Sequence, residues 1–260
     1  MEVIIQPAAQ AAELAADAIV ALVDTKPDAV LGLATGSSPL AVYDALAQRQ
    51  RAGEVSFSQV TAFLLDEYVG LAAQHPERYR NVIDRDLLCK VDLDPQRVHS
   101  PDGLAEDIPA ACRAYEQAIA DAGGVDLQLL GIGTDGHIAF NEPGSSLASH
   151  TRIKTLTAQT RADNARFFND DVEAVPTHCL TQGLATILSA RHLVLLAQGQ
   201  AKAEAVHQMV EGPVSAMWPA TVLQHHPHVS ALIDEGAAAR LQLADYYRET
   251  FAAKPDWQGL

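Results

Sequence analysis

Five short apolar runs punctuate this 260-residue chain: Ala29–Ala34, Val60–Leu65, Leu127–Ile132, His192–Ala197 and Val229–Ile233. They are bounded by Gly, Pro, Asp or Ser and are apolar along most of their length, without alternation. That is the pattern of a strand covered on both faces. Between them lie longer stretches of helical period: Ala8–Val23, Pro39–Arg51, Ala105–Ala122, Ala158–Phe168 and Lys202–Val210. Strands alternating with helices predict an α/β fold, an open and mostly parallel sheet with helices on both faces, Rossmann-like. No low-complexity linker, composition break or fixed-period repeat divides the chain, so residues 1–260 are expected to form a single domain.

Composition removes several classes of function. The formal net charge is −15 and no run of Lys or Arg interrupts it, so a nucleic-acid partner is not expected. A small anion is still allowed, because a few local donors override the overall charge. No segment approaches the ~18 uninterrupted apolar residues of a membrane span. The first residues lack a basic region and carry Glu13, Asp17 and Asp24 along their apolar stretch, which predicts a short strand and an amphipathic helix, not a targeting segment. The cytoplasm is the expected compartment. Cys89, Cys112 and Cys179 are far apart and form no CxxC pair, so buried free thiols are expected, with no disulfide framework and no zinc site. The string HHPH (His225, His226, His228) has no carboxylate nearby to complete a ligand set and reads as a polar loop before a strand. Met217 and Trp218 read as packing residues.

In an open parallel sheet, ligands gather beyond the carboxyl ends of the strands. The residues that follow the apolar runs are Thr35–Ser38, Asp66–Tyr68, Gly133–His137 and Gln198–Lys202, all polar clusters. In TGSSP, Ser37 or Ser38 can cap a helix with Pro39 at its first position, and the free N–H groups there suit a phosphate. The same pattern also fits a plain strand-to-helix turn. Asp66 and Glu67 end an apolar strand. Either could be a shielded carboxylate with a raised pKa and a basic role, or both could be solvated loop acids. Asp135, His137 and Glu142 lie within eight residues of one another in a glycine-rich loop. An imidazole flanked by carboxylates can donate and accept a proton within one turnover. Lys202 follows a strand and a Gly-containing turn near a helix start, where it could place a point charge on a phosphate, and Arg166 lies in the helical stretch ARFF; either also fits a solvated surface charge.

The strings LGLATGSSP, LDEYVGL, GIGTDGHIAFNEPGSSLAS and TRIKTLTAQTRADNARFF, together with the Lys202 region, resemble the glucosamine-6-phosphate deaminase family, in the same order and over nearly the whole chain. The resemblance implies isomerisation and deamination of glucosamine 6-phosphate to fructose 6-phosphate and ammonia, with no cofactor and no metal. It implies that Asp66 moves the proton between C2 and C1, and that His137 opens the sugar ring with Asp135 and Glu142 holding and tuning it. The phosphate would rest on Gly36, Ser37 and Ser38, with Arg166 and Lys202 as charged partners, beneath a mobile lid at about 152–181. Some members of that family are hexamers activated by N-acetylglucosamine 6-phosphate. The resemblance therefore also implies a homo-oligomer and a regulatory site at Ser145, Ser146, Arg152 and Lys154. The C-terminal tyrosine of such a site has no clean counterpart in Tyr246-Tyr247-Arg248. A 6-phosphogluconolactonase shares a related GxGxDGH loop but lacks the NEP glutamate, and IAFNEP here favours the deaminase. A non-catalytic sugar-phosphate sensor would have lost Asp66, His137 or Glu142, and all three are present.

Overall fold

The structure, a computed structural model, describes residues 1–255 and 257–260. The chain opens with β1 (Glu2–Ile5), α1 (Ala8–Thr25), β2 (Val30–Leu33), α2 (Leu40–Arg51), β3 (Thr61–Leu64) and β4 (Asp66–Tyr68). There follow α3 (Tyr79–Asp86), β5 (Val98–His99), α4 (Ile108–Asp121), β6 (Leu127–Gly131), β7 (Arg152–Thr155) and α5 (Ala158–Asn164). The last third contains β8 (His178–Thr181), α6 (Leu184–Leu188), β9 (His192–Ala197), α7 (Ala203–Glu211), β10 (Val229–Ile233) and α8 (Ala244–Ala252).

All five apolar runs become strands of one seven-stranded sheet, in the order β1-β10-β9-β6-β2-β3-β5, with every neighbour parallel. From β1 to β2 to β3 the chain moves one way across the sheet, and from β6 to β9 to β10 it moves the other way. Right-handed crossovers therefore place α1 and α2 on one face and α7 on the opposite face. The direction switches between β2 and β6, which are hydrogen-bonded neighbours. Their carboxyl ends leave the crevice in which this class of sheet binds ligands.

The interior is built from small and aliphatic side chains. Helix α1 buries Ala11, Ala12, Ala15, Ala16, Ile19 and Val23, and every residue of β9 and β10 is buried. Each fully buried Leu or Ile contributes about 1.5–3 kcal/mol relative to exposure. One polar side chain is also enclosed. Gln128 of β6 is fully buried and occupies the space that a Cβ on its β2 partner Gly32 would need. Among the described residues, no helix is long and apolar enough to cross a membrane.

Several expectations are corrected. A second, antiparallel sheet of order β4-β8-β7 stands beside the first and had no sequence signal. Helix α4 starts at Ile108 and not at Ala105, because the Asp107 carboxylate accepts from Ala110 N. Helix α5 stops at Asn164, gives way to a 3-10 turn at Ala165–Phe167, and is followed by Asn169 and Asp170 in the left-handed region. Helix α7 begins at Ala203, after a 3-10 turn over Gln200–Lys202. Cys112 and Cys179 are buried, but Cys89 is exposed, its thiol directed at Arg85 O. Met217 is exposed, whereas Trp218 packs on Gly136. His226 is buried and hydrogen-bonded to the carbonyl of Ala190, so it is a satisfied core imidazole.

Candidate active site

A cleft of about 620 Å³ opens over the carboxyl ends of β2, β3 and β6. Its lining includes Gly36, Ser37, Ser38, Asp66, His137, Arg166 and Lys202, drawn from five separate stretches of chain. The sheet edge that sequence order singled out is therefore the floor of this cleft.

The turn after β2 forms because Gly36 takes φ +93°, which carries the chain sharply away from the strand. The buried Tyr43 hydroxyl of α2 donates to Ala34 O at 2.7 Å and fixes the end of the strand. Helix α2 begins one residue later than expected. Pro39 is its cap residue, and no side chain caps it. Neither serine is used by the helix, since the turn at Gly36 holds both ahead of Pro39.

Asp66 sits where the chain leaves one sheet for the other. β3 ends at Leu64, β4 begins at Asp66, and Leu65 is the single residue between them. Such a break would strand backbone carbonyls. Here Tyr115 Oη and Gln182 Nε2 donate to Leu64 O, and Gln182 N donates to Leu65 O. The junction is thereby rigid, and Asp66 is only 7% exposed although it lines the cleft. Burial pushes its carboxyl well above the usual range, and the negative charge of Glu67 adds to this. Glu67 is fully buried, which removes the reading of two solvated acids. Burial raises its pKa too, against hydrogen bonds from the N–H groups of Arg80, Tyr79 and Tyr68 and the nearby Arg78.

Across the cleft, the loop after β6 holds His137. Asp135 Oδ1 lies 2.7 Å from His137 Nδ1 and also accepts from His137 N at 3.2 Å. The approach to Nδ1 is out of line with the ring N–H. Burial raises the pKa of Asp135, but the bonds and charge of His137 outweigh it and hold the carboxyl below its usual range. Gly133 leaves room for the imidazole, since a Cβ there would collide with the ring. Ala139 is held at φ +50°, a strained conformation for a residue with a Cβ, and it lines the cleft.

Glu142 departs from the expected arrangement. Among the described residues it makes no hydrogen bond to His137. Its Oε1 accepts from Thr160 Oγ1 at 2.6 Å and Thr157 N at 3.3 Å, while Oε2 is buried without a partner. Thr157 and Thr160 belong to the segment over the cleft, so Glu142 holds that segment. The span 152–181 begins and ends in β7 and β8, which pair with each other. Between these strands, Thr160, Asp163 and Asn164 of α5 and Arg166 and Phe167 after it line the cleft. Asn164 ties its helix to Tyr68 Oη at 3.1 Å, and Tyr79 Oη donates to the same hydroxyl at 3.3 Å.

Arg166 projects from the 3-10 turn of this covering segment, stacked over Phe167 with 4.7 Å between guanidinium and ring centroid. Lys202 is half-buried at the turn after β9. Burial lowers its pKa, Arg166 lowers it further, and Asp135 and Asp163 oppose them. Two cations close enough to repel one another beside a turn of unused N–H groups are arranged for an anion.

Ser145, Ser146, Arg152 and Lys154 do not line the cleft. Ser145 Oγ and Arg152 Nη2 are buried without partners, and Ser146 is exposed. Sequence reasoning missed Tyr79, Arg85 and Thr160 in the lining. Of these only Thr160 had a signal, a Thr-x-x-Thr cap at the start of α5.

The chain was compared with known proteins. The model of the family described as glucosamine-6-phosphate isomerases/6-phosphogluconolactonase matches residues 5–232. Curated proteins named glucosamine-6-phosphate deaminase from Beutenbergia cavernae and Mycolicibacterium smegmatis are each 72% identical to this chain, and the alignments cover 100% of both partners. The solved structure of a monomeric glucosamine-6-phosphate deaminase is similar at a TM-score of 0.89 and 42% identity, over 92% of this chain and 99% of the other. A 6-phosphogluconolactonase from Trypanosoma cruzi, 21% identical with a TM-score of 0.72 over 93% of this chain and 97% of its own, shares the fold.

Proposed function

The chain belongs to the family of glucosamine-6-phosphate isomerases and 6-phosphogluconolactonases, and within it we propose that the enzyme converts glucosamine 6-phosphate and water to fructose 6-phosphate and ammonia. The observation that carries this reading is a buried carboxylate, Asp66, sharing one cleft with a separate imidazole–carboxylate pair, His137 and Asp135. An aldose-to-ketose shift needs two such groups, a base beside C2 and an acid/base near the ring oxygen. Hydrolysis of a lactone moves no proton from C2 and needs no base placed there.

In the proposed sequence His137 passes a proton to the ring oxygen while the C1 hydroxyl proton is withdrawn, giving the open aldehyde. Asp66 then removes the C2 proton. The electron pair forms a C1–C2 double bond, and the carbonyl oxygen is protonated. Asp66 returns its proton to C1, the double bond shifts to C2=N, and water adds at C2. Collapse of that adduct expels ammonia and leaves the ketone. Each of these steps is a proton transfer, an addition or an acid/base-assisted elimination, chemistry of the kind that positioned carboxylates and an imidazole provide. Glu142 acts here through the covering segment: its bonds to Thr157 and Thr160 hold α5 over the sugar, so it is a link between lid and loop. Movement of 156–177 admits substrate and then excludes water from the intermediates.

The phosphate is read as lying against Gly36–Ser38 between Arg166 and Lys202. It supplies orientation through a part of the substrate that does not react. Arg166→Ala is therefore expected to raise KM roughly tenfold or more, the loss of a charge-assisted contact, with a smaller change in kcat. Steady-state kinetics separate the two; a fall confined to kcat would take Arg166 off the phosphate.

Release of ammonia from glucosamine 6-phosphate by the purified protein, without added metal, tests the assignment directly. Hydrolysis of 6-phosphogluconolactone alone would overturn it. The same assay with and without N-acetylglucosamine 6-phosphate tests Ser145, Ser146, Arg152 and Lys154 as a regulatory anion site. The unpartnered Ser145 Oγ and Arg152 Nη2 support that reading. Sedimentation in both conditions tests whether the protein is a homo-oligomer or, like its solved relative, a monomer.

A further inference from the structure

We propose that Glu67 is a positioning residue for the proton transfer: its buried carboxylate ties the strand bearing Asp66 to the start of α3 and sets a fixed negative charge beside the base. The inference rests on the reading of Asp66 as that base.

The geometry is unusually complete for a residue that never touches the cleft. Glu67 Oε1 accepts from Tyr68 N and Tyr79 N, both at 2.9 Å, and Oε2 accepts from Arg80 N at 3.0 Å. Arg78 Nε lies 3.6 Å from Oε2. Tyr79 and Arg80 are the first two residues of α3, whose own side chains leave the N-terminus uncapped. Glu67 therefore caps that helix from a different strand, where free N–H groups and the helix dipole favour an anion. Helix α3 supplies Tyr79, Val82 and Arg85 to the cleft wall. One carboxylate thus fixes both the base and the wall opposite it.

The second consequence is electrostatic. Burial leaves the pKa of Glu67 raised, but three N–H donors and a guanidinium oppose it and favour the charged form, and among the described residues Asp66 has no comparable set of donors. The other titratable groups facing Asp66 are Tyr68 on its own strand, Tyr79 from α3, Tyr115 from α4 and Cys179 from β8. Burial pushes all four upward, so they are neutral near pH 7. His137 and Lys202 lie in the same cleft. The charge that burdens Asp66 from its immediate surroundings is that of Glu67. A carboxylate made more basic in this way takes a proton from carbon more readily, provided it is still ionised at the working pH.

Glu67→Gln keeps the shape and one acceptor oxygen but removes the charge. The acid limb of the kcat/KM profile is expected to move down by about one pH unit, with a lower plateau. Arg78→Gln unshields Glu67 and is expected to move the same limb up. The substrate's own titrations are common to all variants, so differences between profiles belong to the protein. A merely structural role would lower activity equally at every pH. An unmoved or raised limb in folded Glu67→Gln overturns the proposal. If that variant does not fold, an unmoved or lowered limb in Arg78→Gln overturns it instead. Asp66→Asn assayed in parallel separates the two levels: retained C2 exchange there would remove the base assignment itself, whereas its loss together with unmoved limbs removes only Glu67.

Discussion

Asp66→Asn is expected to lower ammonia release by about 10³-fold or more, within the range that general-base removal produces, while KM for glucosamine 6-phosphate changes little. The amide matches the carboxylate in size and stays inside the junction between β3 and β4, so the cleft and phosphate anchors persist. What is lost is the ability to accept a proton from C2. Exchange of that proton with solvent deuterium, followed by NMR, is the direct measurement, and unchanged exchange would take Asp66 out of the mechanism. A second readout has the opposite sign. The folded-state pKa of Asp66 lies above its ordinary value, so the native protein binds this proton more tightly than the unfolded chain. The stabilisation due to that proton is complete below the unfolded pKa and is lost as pH rises toward the folded value. Above that folded-state pKa the ionised carboxylate, buried beside Glu67, opposes folding. Asn removes that repulsion, and the variant is expected to melt at or above the wild-type temperature. A protein less active and at least as stable is the signature of a residue kept for chemistry.

What could be read from the chain divides along physical lines. Five strands of the large sheet were legible as runs because burial on both faces makes them apolar nearly end to end, as in β9 and β10, whereas the two-residue β5 was too short to show. β7 was not, because Arg152–Thr155 alternates half-buried and exposed, and β4 was not, because its first two residues are acids. β4 also pairs with β8 across more than a hundred positions, Asp66 with Thr181. Glu67 was hidden at shorter range, by partners twelve and thirteen residues further on. Its neighbours in sequence suggest a solvated loop, and only the N–H groups of α3, which no local pattern announces, make its burial tolerable. His137 and Asp135 were legible as a pair because they are two residues apart in a glycine-rich loop. Glu142 lies in that same loop, yet its oxygen is claimed by Thr157 and Thr160 from another segment. Proximity in sequence does not announce these partners, which lie fifteen and eighteen residues further on.

Replacing His137 with Gln is expected to reduce kcat/KM for glucosamine 6-phosphate by about 10²-fold, the lower range for loss of an acid/base group, because the sugar arrives as a closed ring. Gly133→Ala should reproduce much of this loss with the imidazole still present. Gly133 N donates to His137 O at 2.9 Å, and a Cβ on Gly133 would occupy the position of the ring, so the imidazole must swing away from Asp135. The two variants together distinguish the chemistry of the group from its placement. The step it serves is isolated by a substrate analogue without the C4 and C5 hydroxyls, which can close to neither a furanose nor a pyranose. On that open-chain analogue both variants should approach the wild-type rate of ammonia release, whereas Asp66→Asn should remain inactive. If His137→Gln is equally slow on the analogue and on the natural sugar, the imidazole acts after ring opening. Its part would then be a later proton transfer, such as protonation of the carbonyl oxygen as Asp66 takes the C2 proton.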